Sequence, residues 1–286
     1  MSEAPGYKSF MTIGGTYYEF VTAGISASYE LQDDSEGLRG TRSRTLERAT
    51  QGLLRIGGDL HFNPTPLELS GLWPLCVQNS TGATLTDAMQ DATVVVDLIT
   101  KKNTYVGRFG KTTLRGTPGK KLDLTLGFVG KSYTEGATSL SGIPDITNRP
   151  YMMSDSGSGI TIGGVTYSFE EIELLIDNHI EPTYMQGQAP TDLEPQDREV
   201  HLKIRTRYNT AEAALQTLAN SGPMLGSPVT ASLAFTNGTN SVTFTFGALV
   251  AVPKAVTVDS KRMLRWDGEF RAYKVGTNLE VVTTFA

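Results

Sequence analysis

The chain has 286 residues, of which 39% are hydrophobic and 19% are charged, and its formal net charge is −5 at pH 7. This composition is typical of a globular protein with one large domain or two of ordinary size, and the negative charge argues against a general nucleic-acid-binding protein, which would be basic. No apolar run approaches the roughly 20 residues that cross a bilayer, no secretory signal is recognisable, and Cys76 is the only cysteine, so we expect no membrane segment and folding in a reducing cytoplasm.

The first predicted element is a β-hairpin whose turn contains Gly14 and Gly15. Adjacent glycines can take the positive φ angles of a tight primed turn, and β-branched and aromatic residues flank them. The next predicted element is a strand over Leu54–Phe62, where apolar and polar residues mostly alternate. A period of two indicates a strand with one face on a core and the other in water.

A short helix is predicted directly after this strand. Thr65 is the expected N-cap, Pro66 suits the first helical position, and Glu68 completes a capping box. The apolar face of the helix is expected to consist of Leu67, Leu69, Leu72 and Trp73.

A second hairpin and a closing strand complete the first half of the chain. Thr93–Ile99 is expected to pair with Thr104–Phe109, and Leu122–Gly130 is expected to form the closing strand. These elements together predict a mainly antiparallel β-sandwich or partly closed barrel with one short flanking α-helix.

Similar elements recur in the same order in the second half. Ile160–Phe169 matches Met11–Phe20, with six of ten positions identical. An ordered recurrence of this kind predicts an internal duplication, with two tandem β units, one at residues 1–145 and the other at residues 146–286. The later landmarks match Thr65–Glu68 with Asn209–Glu212, Phe109-Gly110 with Phe246-Gly247, and Leu122, Leu124 and Phe128 with Leu264, Trp266 and Phe270.

The sequence offers no constellation for catalysis or metal binding. His61, His179 and His201 are the only histidines, and none has a metal-ligand spacing to another histidine or to Cys76. The alternation of their strands places His61 and His201 on outward faces. Nucleophile-elbow, phosphate-loop and zinc-protease motifs are missing from the sequence. We therefore predict a protein that is not an enzyme and has no catalytic residues, cofactor or metal.

A long polar segment, Asp33–Gln51, is the best candidate for a functional region. It begins with acidic residues and continues with basic ones, and long connections of this kind are often functional. Arginine can pair with carboxylates through two hydrogen bonds, so this segment could dock on an acidic neighbour; a solvated loop is the alternative. The candidate contact residues are Asp33, Asp34, Glu36, Arg39, Arg42, Arg44 and Arg48. The corresponding stretch Glu181–Arg198 has three prolines and lacks the arginine run.

Several of these motifs, taken in order, resemble a known protein family. In the first half they are Gly40–Arg44, Glu47-Arg48, Gln51 and Pro64–Leu69; in the second half they are Tyr167-x-Phe169, Ile176–Asn178, Thr191-Asp192 and Asp197-Arg198. The chain in this respect resembles the major tail tube proteins of long-tailed, siphovirus-type bacteriophages, in the form with a duplicated domain.

The resemblance implies a structural virion protein that polymerises into a hollow tube. Three chains would form each pseudo-hexameric ring, and stacked rings would enclose the channel through which DNA enters the host. The implied partners are other copies of the chain, further tail proteins at the tube ends, and the tape measure protein and genomic DNA inside the lumen, without sequence-specific binding. The implied location is the virion tail, assembled in the host cytoplasm, and the seven charged residues from Asp33 to Arg48 would make contacts between rings.

Two alternatives remain open at this point. The first is the tube protein of a contractile injection or secretion apparatus, which a single-domain chain would favour more. The second is a carbohydrate-binding β-sandwich adhesin, which usually presents clustered exposed aromatic residues. Trp73 and Trp266 both fall on predicted core faces, which argues against the adhesin.

Overall fold

The computed structural model describes residues 9–33, 49–77, 89–138, 148–153, 155–207, 213–217, 228–252, 265–275 and 279–286. Within these residues the protein is mainly β, its strands pair antiparallel, two segments are helical, and the main sheet is not closed. The predicted fold class is therefore confirmed.

The strands and helices of the first half follow the predicted order. Alternating apolar residues form the strands, and two-residue glycine turns connect the first pair. The elements are β1 (Phe10–Ile13), β2 (Thr16–Tyr18), β3 (Thr22–Ala23), β4 (Ser26–Asp33), β5 (Ala49–Phe62), α1 (Pro66–Cys76), β6 (Ala92–Asp97), β7 (Lys102–Gly116) and β8 (Asp123–Gly136).

The second half contains a similar set with one additional hairpin and a terminal strand. The helix of this half covers residues 213–217 within the described part of the chain. The strands are β9 (Gly159–Ile162), β10 (Val165–Tyr167), β11 (Glu171–Asp177), β12 (Ile180–Thr183), β13 (Asp192–Pro195), β14 (Glu199–Arg207), β15 (Val229–Thr236), β16 (Ser241–Val252), β17 (Arg265–Ala272) and β18 (Val282–Phe285).

Sixteen of these strands form one sheet that runs through both halves. The main path is β10-β9-β15-β16-β17-β14-β11-β7-β6-β1-β2, and β12 and β13 form a separate two-stranded sheet. Off the main path, β8 joins β7 to β5, and β5 also pairs with β3 and β4. The sheet passes from one half to the other where β7 pairs with β11.

The order of strand pairing in the first half recurs in the second. β1 pairs with β2 and β6, as β9 pairs with β10 and β15. β5 pairs with β4 and β8, as β14 pairs with β11 and β17. Each set also contains a long strand, β7 or β16, that joins the hairpin side to the closing strand.

The registers correct one of the predicted landmark matches. Phe109 lies opposite Phe128, whereas the residue opposite Phe270 is Ala251. Phe246 lies opposite Ala231 instead. The predicted match of Phe109-Gly110 with Phe246-Gly247 is therefore wrong, because β7 and the β15–β16 hairpin contain bulges that shift the register at different places.

The predicted turns and helix cap are confirmed. Gly14 and Gly15 have φ angles of 59° and 85°, and Gly163 and Gly164 have 58° and 81°. At the start of α1 the Thr65 hydroxyl accepts a hydrogen bond from the Glu68 backbone at 3.3 Å, and the Glu68 carboxylate accepts one from the Thr65 backbone at 3.0 Å. These bonds satisfy two donors at a helix start, where backbone N–H groups lack helical partners.

The helix packs between the two halves with a face that differs at one residue from the prediction. Leu69, Leu72 and Trp73 are fully buried, but Leu67 is 71% exposed, so its predicted place in the apolar face is wrong. The Trp73 indole donates a 2.8 Å hydrogen bond to the Thr283 hydroxyl, and its ring lies edge-on to Phe244 with 4.8 Å between ring centroids. The buried residues of both halves form one continuous cluster.

Candidate functional site: a charged sheet face and the joint between the halves

Most of the predicted contact residues lie outside the described residues. Asp33 is the last residue of β4, where its backbone pairs with Ala49 at the start of β5. Asp34, Glu36, Arg39, Arg42, Arg44 and Arg48 all fall in the undescribed range 34–48.

The strands that lead to this range extend beyond the neighbouring closing strand. β5 pairs with β8 from Phe62 back to Ile56, but its pairing with β4 continues to Ala49. Two apolar side chains on this extension are largely exposed, Tyr29 at 49% and Leu31 at 74%. Exposed apolar side chains at the end of a projecting hairpin are suited to contact with another molecule.

A network of ion pairs covers the polar face of four adjacent strands, β7, β11, β14 and β17. Alternation along each strand directs apolar side chains to the core and charged ones to the other side. We call this surface the charged face. It consists of Arg115, Glu170, Glu171, Glu173, Lys203, Arg205, Arg207, Arg265 and Asp267.

Three carboxylates of the charged face, those of Glu170, Glu171 and Glu173, each bind two cations. Glu171 lies 3.3 Å from Arg115 and 2.8 Å from Arg205. Glu173 contacts Arg115 and lies 3.1 Å from Lys203. The network therefore crosses the joint between the halves, since Arg115 belongs to β7 and both glutamates belong to β11.

The ion pairs also shift the ionisation of their members. Partial burial works against ionisation of Glu173, but the hydrogen bonds from Arg115 and Lys203 outweigh it and lower the pKa of this carboxyl. The hydrogen bond from Arg207, together with that from Arg265, lowers the pKa of Glu170. The Asp267 hydrogen bond raises the pKa of Arg205. The ionised forms of Glu170, Glu173 and Arg205 are thus stabilised by their partners.

An arm from the second half binds the first half beside this face. The arm consists of β12, β13 and their connection, residues 180–195. The Tyr184 hydroxyl donates to the Leu54 carbonyl oxygen at 3.0 Å, and the Gln188 amide donates to the Gln51 carbonyl oxygen at 2.6 Å. The Leu54 N–H in turn donates to the Gln188 carbonyl oxygen at 2.7 Å. The arm therefore hydrogen-bonds the β5 backbone where β8 no longer pairs with it.

Two buried or half-buried polar residues fix the base of the arm. The sequence assigned no role to Arg108, and Asn178 appeared only within the motif Ile176–Asn178 of the family resemblance. Arg108 contacts the Leu193 carbonyl oxygen and lies 2.8 Å from Asp91 and 3.6 Å from Asp192. Asn178 is buried, and its backbone N–H donates to the Gly110 carbonyl oxygen at 2.7 Å. Their signal in the sequence was weak, because a single Arg or Asn within a strand pattern reads as an ordinary surface residue.

The histidines and the cysteine occupy structural positions. His201 shares its predicted outward strand face with Glu199, but it is only 8% exposed and is therefore not the surface residue that was expected: it lies between Glu199 and Glu269, with both nitrogen–oxygen distances at 3.0 Å. His61 is half-buried and its Nδ1 lies 2.9 Å from the Thr125 hydroxyl. Burial raises the pKa of the Cys76 thiol to about 12, which leaves little thiolate to react.

Within the ranges that the structure describes, His, Cys, Asp and Glu side chains form no group of three or more that could hold a metal ion. No helix in these ranges has the length and apolar character needed to cross a membrane. The arrangement offers a charged surface, a projecting hairpin and a joint between similar units, all of which are suited to assembly.

Comparison with known protein families gives a match over most of the chain. A sequence model of the family described as phage tail tube protein matches residues 16–272. The curated proteins yield no match. The matched range includes the charged face, the arm, and the β4–β5 hairpin with the predicted contact segment. The chain therefore belongs to the phage tail tube protein family.

Proposed function

We propose that this chain is the major tail tube subunit of a long-tailed, siphovirus-type phage and that it polymerises into stacked rings around a DNA channel. Three chains would form each ring, because each chain supplies two similar units, at residues 1–145 and 146–286. The observation that carries this proposal is the joint between β7 and β11, which places two units with the same pairing order side by side in one sheet. Repeating such a joint between chains would extend the sheet around a ring.

In this proposal the charged face lines the channel. The opposite face of the same strands is apolar and buried, so the charged side is the one available to water and DNA. Every cation of the network contacts at least one carboxylate, which reduces its attraction for passing phosphates. DNA and the tape measure protein would then pass without sequence-specific binding.

The candidate contact segment would act between rings. The segment from Asp33 to Arg48 connects the ends of the projecting β4–β5 hairpin, whose Leu31 is largely exposed. A contact away from the sheet edges would leave those edges for neighbours within the ring. Other tail proteins would contact the two ends of the tube, and assembly would occur in the host cytoplasm.

The role is structural rather than enzymatic in this proposal. The runner-up is the tube of a contractile injection or secretion apparatus, which would use the same surfaces. The adhesin alternative is weaker, because Trp73 and Trp266 are 0% and 1% exposed and neither could stack on a sugar.

The test is negative-stain electron microscopy of the concentrated, purified chain, with averaging of end-on views. We expect hollow rings or tubes with three-fold symmetry and six similar lobes. True six-fold rings built from six chains, or solid particles at high concentration in the presence of tail-end proteins, would contradict the proposal. Finding a contractile sheath around the tube in virions would favour the runner-up.

A further inference from the structure

Two four-residue turns occupy corresponding positions in the halves of the chain. The first-half turn, residues 98–101, joins β6 to β7, and the second-half turn, residues 237–240, joins β15 to β16. In the first the Leu98 N–H donates to the Lys101 carbonyl oxygen at 2.9 Å, and in the second the Asn237 N–H donates to the Asn240 carbonyl oxygen at 3.1 Å. The two turns therefore match residue by residue.

The second position of each turn has a positive φ angle, but the two halves place different residues there. Ile99 has a φ of 75° and Gly238 has a φ of 89°. The Ile99 N–H donates to the Asp97 carboxylate at 3.2 Å, as the Gly238 N–H donates to the Thr236 hydroxyl at 3.0 Å. Glycine takes such an angle without strain, whereas a β-branched residue is an outlier at it. The first half thus keeps a strained isoleucine where the second half has glycine.

Packing within the described part of the chain does not offset this strain. Leu98 is 39% exposed and Ile99 is partly exposed, and neither side chain belongs to the described core or packs against it. The turn is held from below, since the fully buried Asp97 also accepts a 2.6 Å hydrogen bond from the Thr138 hydroxyl. Backbone strain that the surroundings hold in place is typical of residues that contact another molecule.

The second-half turn, by contrast, is covered from within the chain. The Asn237 side-chain amide donates to the Arg149 carbonyl oxygen at 3.1 Å, and the Arg149 guanidinium donates to the Asn237 carbonyl oxygen at 3.5 Å. Arg149 belongs to the segment 148–153, in which the Tyr151 N–H donates to the Pro64 carbonyl oxygen at 3.3 Å, directly before α1. The second-half turn therefore lies at a contact between the two halves.

We propose that the first-half turn binds the second half of another copy of this chain through Leu98 and Ile99. The contact would be the counterpart between chains of the one that the second-half turn makes inside the chain, and it rests on the proposed tube. The receiving surface would be the side of the second half that carries the helix of residues 213–217. No sheet edge takes part in it.

The difference in residue type between the turns follows from this assignment. A contact inside one chain is favoured by the high effective concentration of its covalently joined partners, so polar residues and glycine suffice for it. A contact between separate chains must supply its own free energy of association, and the burial of apolar side chains does so. The strain at Ile99 is then offset only in the assembled state.

The test is Ile99→Asn in the full-length chain. Asparagine tolerates a positive φ angle and removes the apolar side chain. We expect the urea midpoint of the unassembled chain to stay the same or rise, because strain is relieved. The lowest concentration that gives tubes, measured by light scattering and electron microscopy, should rise about tenfold, because an aliphatic side chain is lost from each contact. An isoleucine with a purely structural role would instead lower the midpoint.

Two further variants serve as controls. Ile99→Leu keeps an apolar side chain without the β-branch, so it should form tubes at nearly the wild-type concentration. Met185→Asn removes an apolar side chain that is 76% exposed in the arm, away from the turn, and it should leave the assembly concentration unchanged.

The outcomes separate this inference from the proposed function. Normal tubes from Ile99→Asn at the wild-type concentration would overturn the contact and leave the tube role standing. An equal defect in Met185→Asn would show that the turn is not special, which also overturns the inference. A defect confined to tube initiation by tail-end proteins would assign the turn to a different partner. Wild-type chain that forms neither rings nor tubes would count against the proposed function, and with it against this contact.

Discussion

At the scale of single residues, the charged face is organised around three glutamates, Glu170, Glu171 and Glu173, that each bind two cations. Glu170 binds Arg207 and Arg265 at 2.8 Å and 2.6 Å, and Glu173 binds Arg115 and Lys203. Exposed ion pairs each contribute only about 0–1 kcal/mol to folding. Their larger effect is on the electrostatic potential of the surface, because one carboxylate such as that of Glu170 offsets the charge of two cations.

Replacing Glu171 and Glu173 with glutamine should make assembled tubes retain double-stranded DNA at low salt. Arg115 and Lys203 lose their carboxylate partners in this variant and become available to phosphates. The logarithm of the binding constant should fall by about 0.9 more per tenfold rise in salt for each cation that reaches a phosphate. Glu135→Gln, which removes the exposed partner of Lys101, is the matched control. Equal DNA retention by both variants would place the charged face away from the channel.

Acid should destabilise the folded chain partly through this face. The pKa values of Glu170 and Glu173 lie below their ordinary value of 4.5. Groups with a lowered folded pKa contribute stability above the unfolded pKa and lose it as the pH falls through the folded pKa. The melting temperature should therefore decrease when the pH is lowered below about 4.5. In the double variant Glu170→Gln with Glu173→Gln this decrease should be smaller, because up to about 1 kcal/mol of pH-dependent unfolding free energy per group is removed. An unchanged pH profile of thermal melting in the variant would contradict this.

At the scale of elements, α1 illustrates what periodicity can and cannot assign. The capping box was predicted correctly, because it depends on Thr65 and Glu68, which lie close together in the chain. The buried face was predicted with one error at Leu67, which is 71% exposed. Local sequence does not specify which side of a helix start meets the sheet.

Thr65→Ala should lower the free energy of unfolding by about 1 kcal/mol, the usual effect of losing an N-cap side chain. Thr65 is buried, so water cannot readily replace its hydroxyl as the acceptor for the Glu68 N–H. Ser70→Ala on the same helix, where the side chain is exposed, should be nearly neutral. Urea unfolding of the unassembled chain measures both. An equal loss in the two variants would show that the cap is not what stabilises the helix start.

At the scale of the whole molecule, contacts of several kinds hold the halves together. The β7–β11 joint continues the sheet, the arm binds β5, and Trp73 of α1 reaches Thr283 of β18. Family membership makes this chain a component of the virion tail. A unit fixed rigidly to its neighbour is suited to a ring in which similar joints alternate within and between chains.

Reversing Arg42 and Arg44 to glutamate should block the stacking of rings without changing the fold. The sequence predicts a polar loop for this segment, and surface charges contribute little to folding, so thermal melting of the unassembled chain should shift by less than about 0.5 kcal/mol in equivalent stability. Electron microscopy should show single rings in place of tubes. The matched control is Lys120→Glu with Lys121→Glu, two exposed lysines outside the candidate segment. Full-length tubes from the Arg42 and Arg44 variant would contradict the stacking role.

Raising the salt concentration should shorten or dissociate wild-type tubes if charged residues make the contacts between rings. The Debye length falls from about 10 Å at 0.1 M to about 3 Å at 1 M ionic strength, so exposed ion pairs weaken. Light scattering of assembled protein across this range measures the effect. Tubes whose length is indifferent to salt would indicate an apolar contact, for which Leu31 is the exposed candidate.

The sequence by itself determined the features that depend on residues close together in the chain. Alternation located the strands, paired glycines located the turns, and Thr65 to Glu68 located the helix start, because each is governed by backbone geometry over a few residues. The ordered motifs also led to the family. The tertiary structure decided what depends on pairing between distant strands. One such feature is the register that places Ala251, rather than Phe246, opposite Phe270. The others are the burial of His201, the binding of the arm to β5, and the joint of β7 with β11. Bulges and crossing partners set these features, and neither leaves a periodic signal in a single sequence.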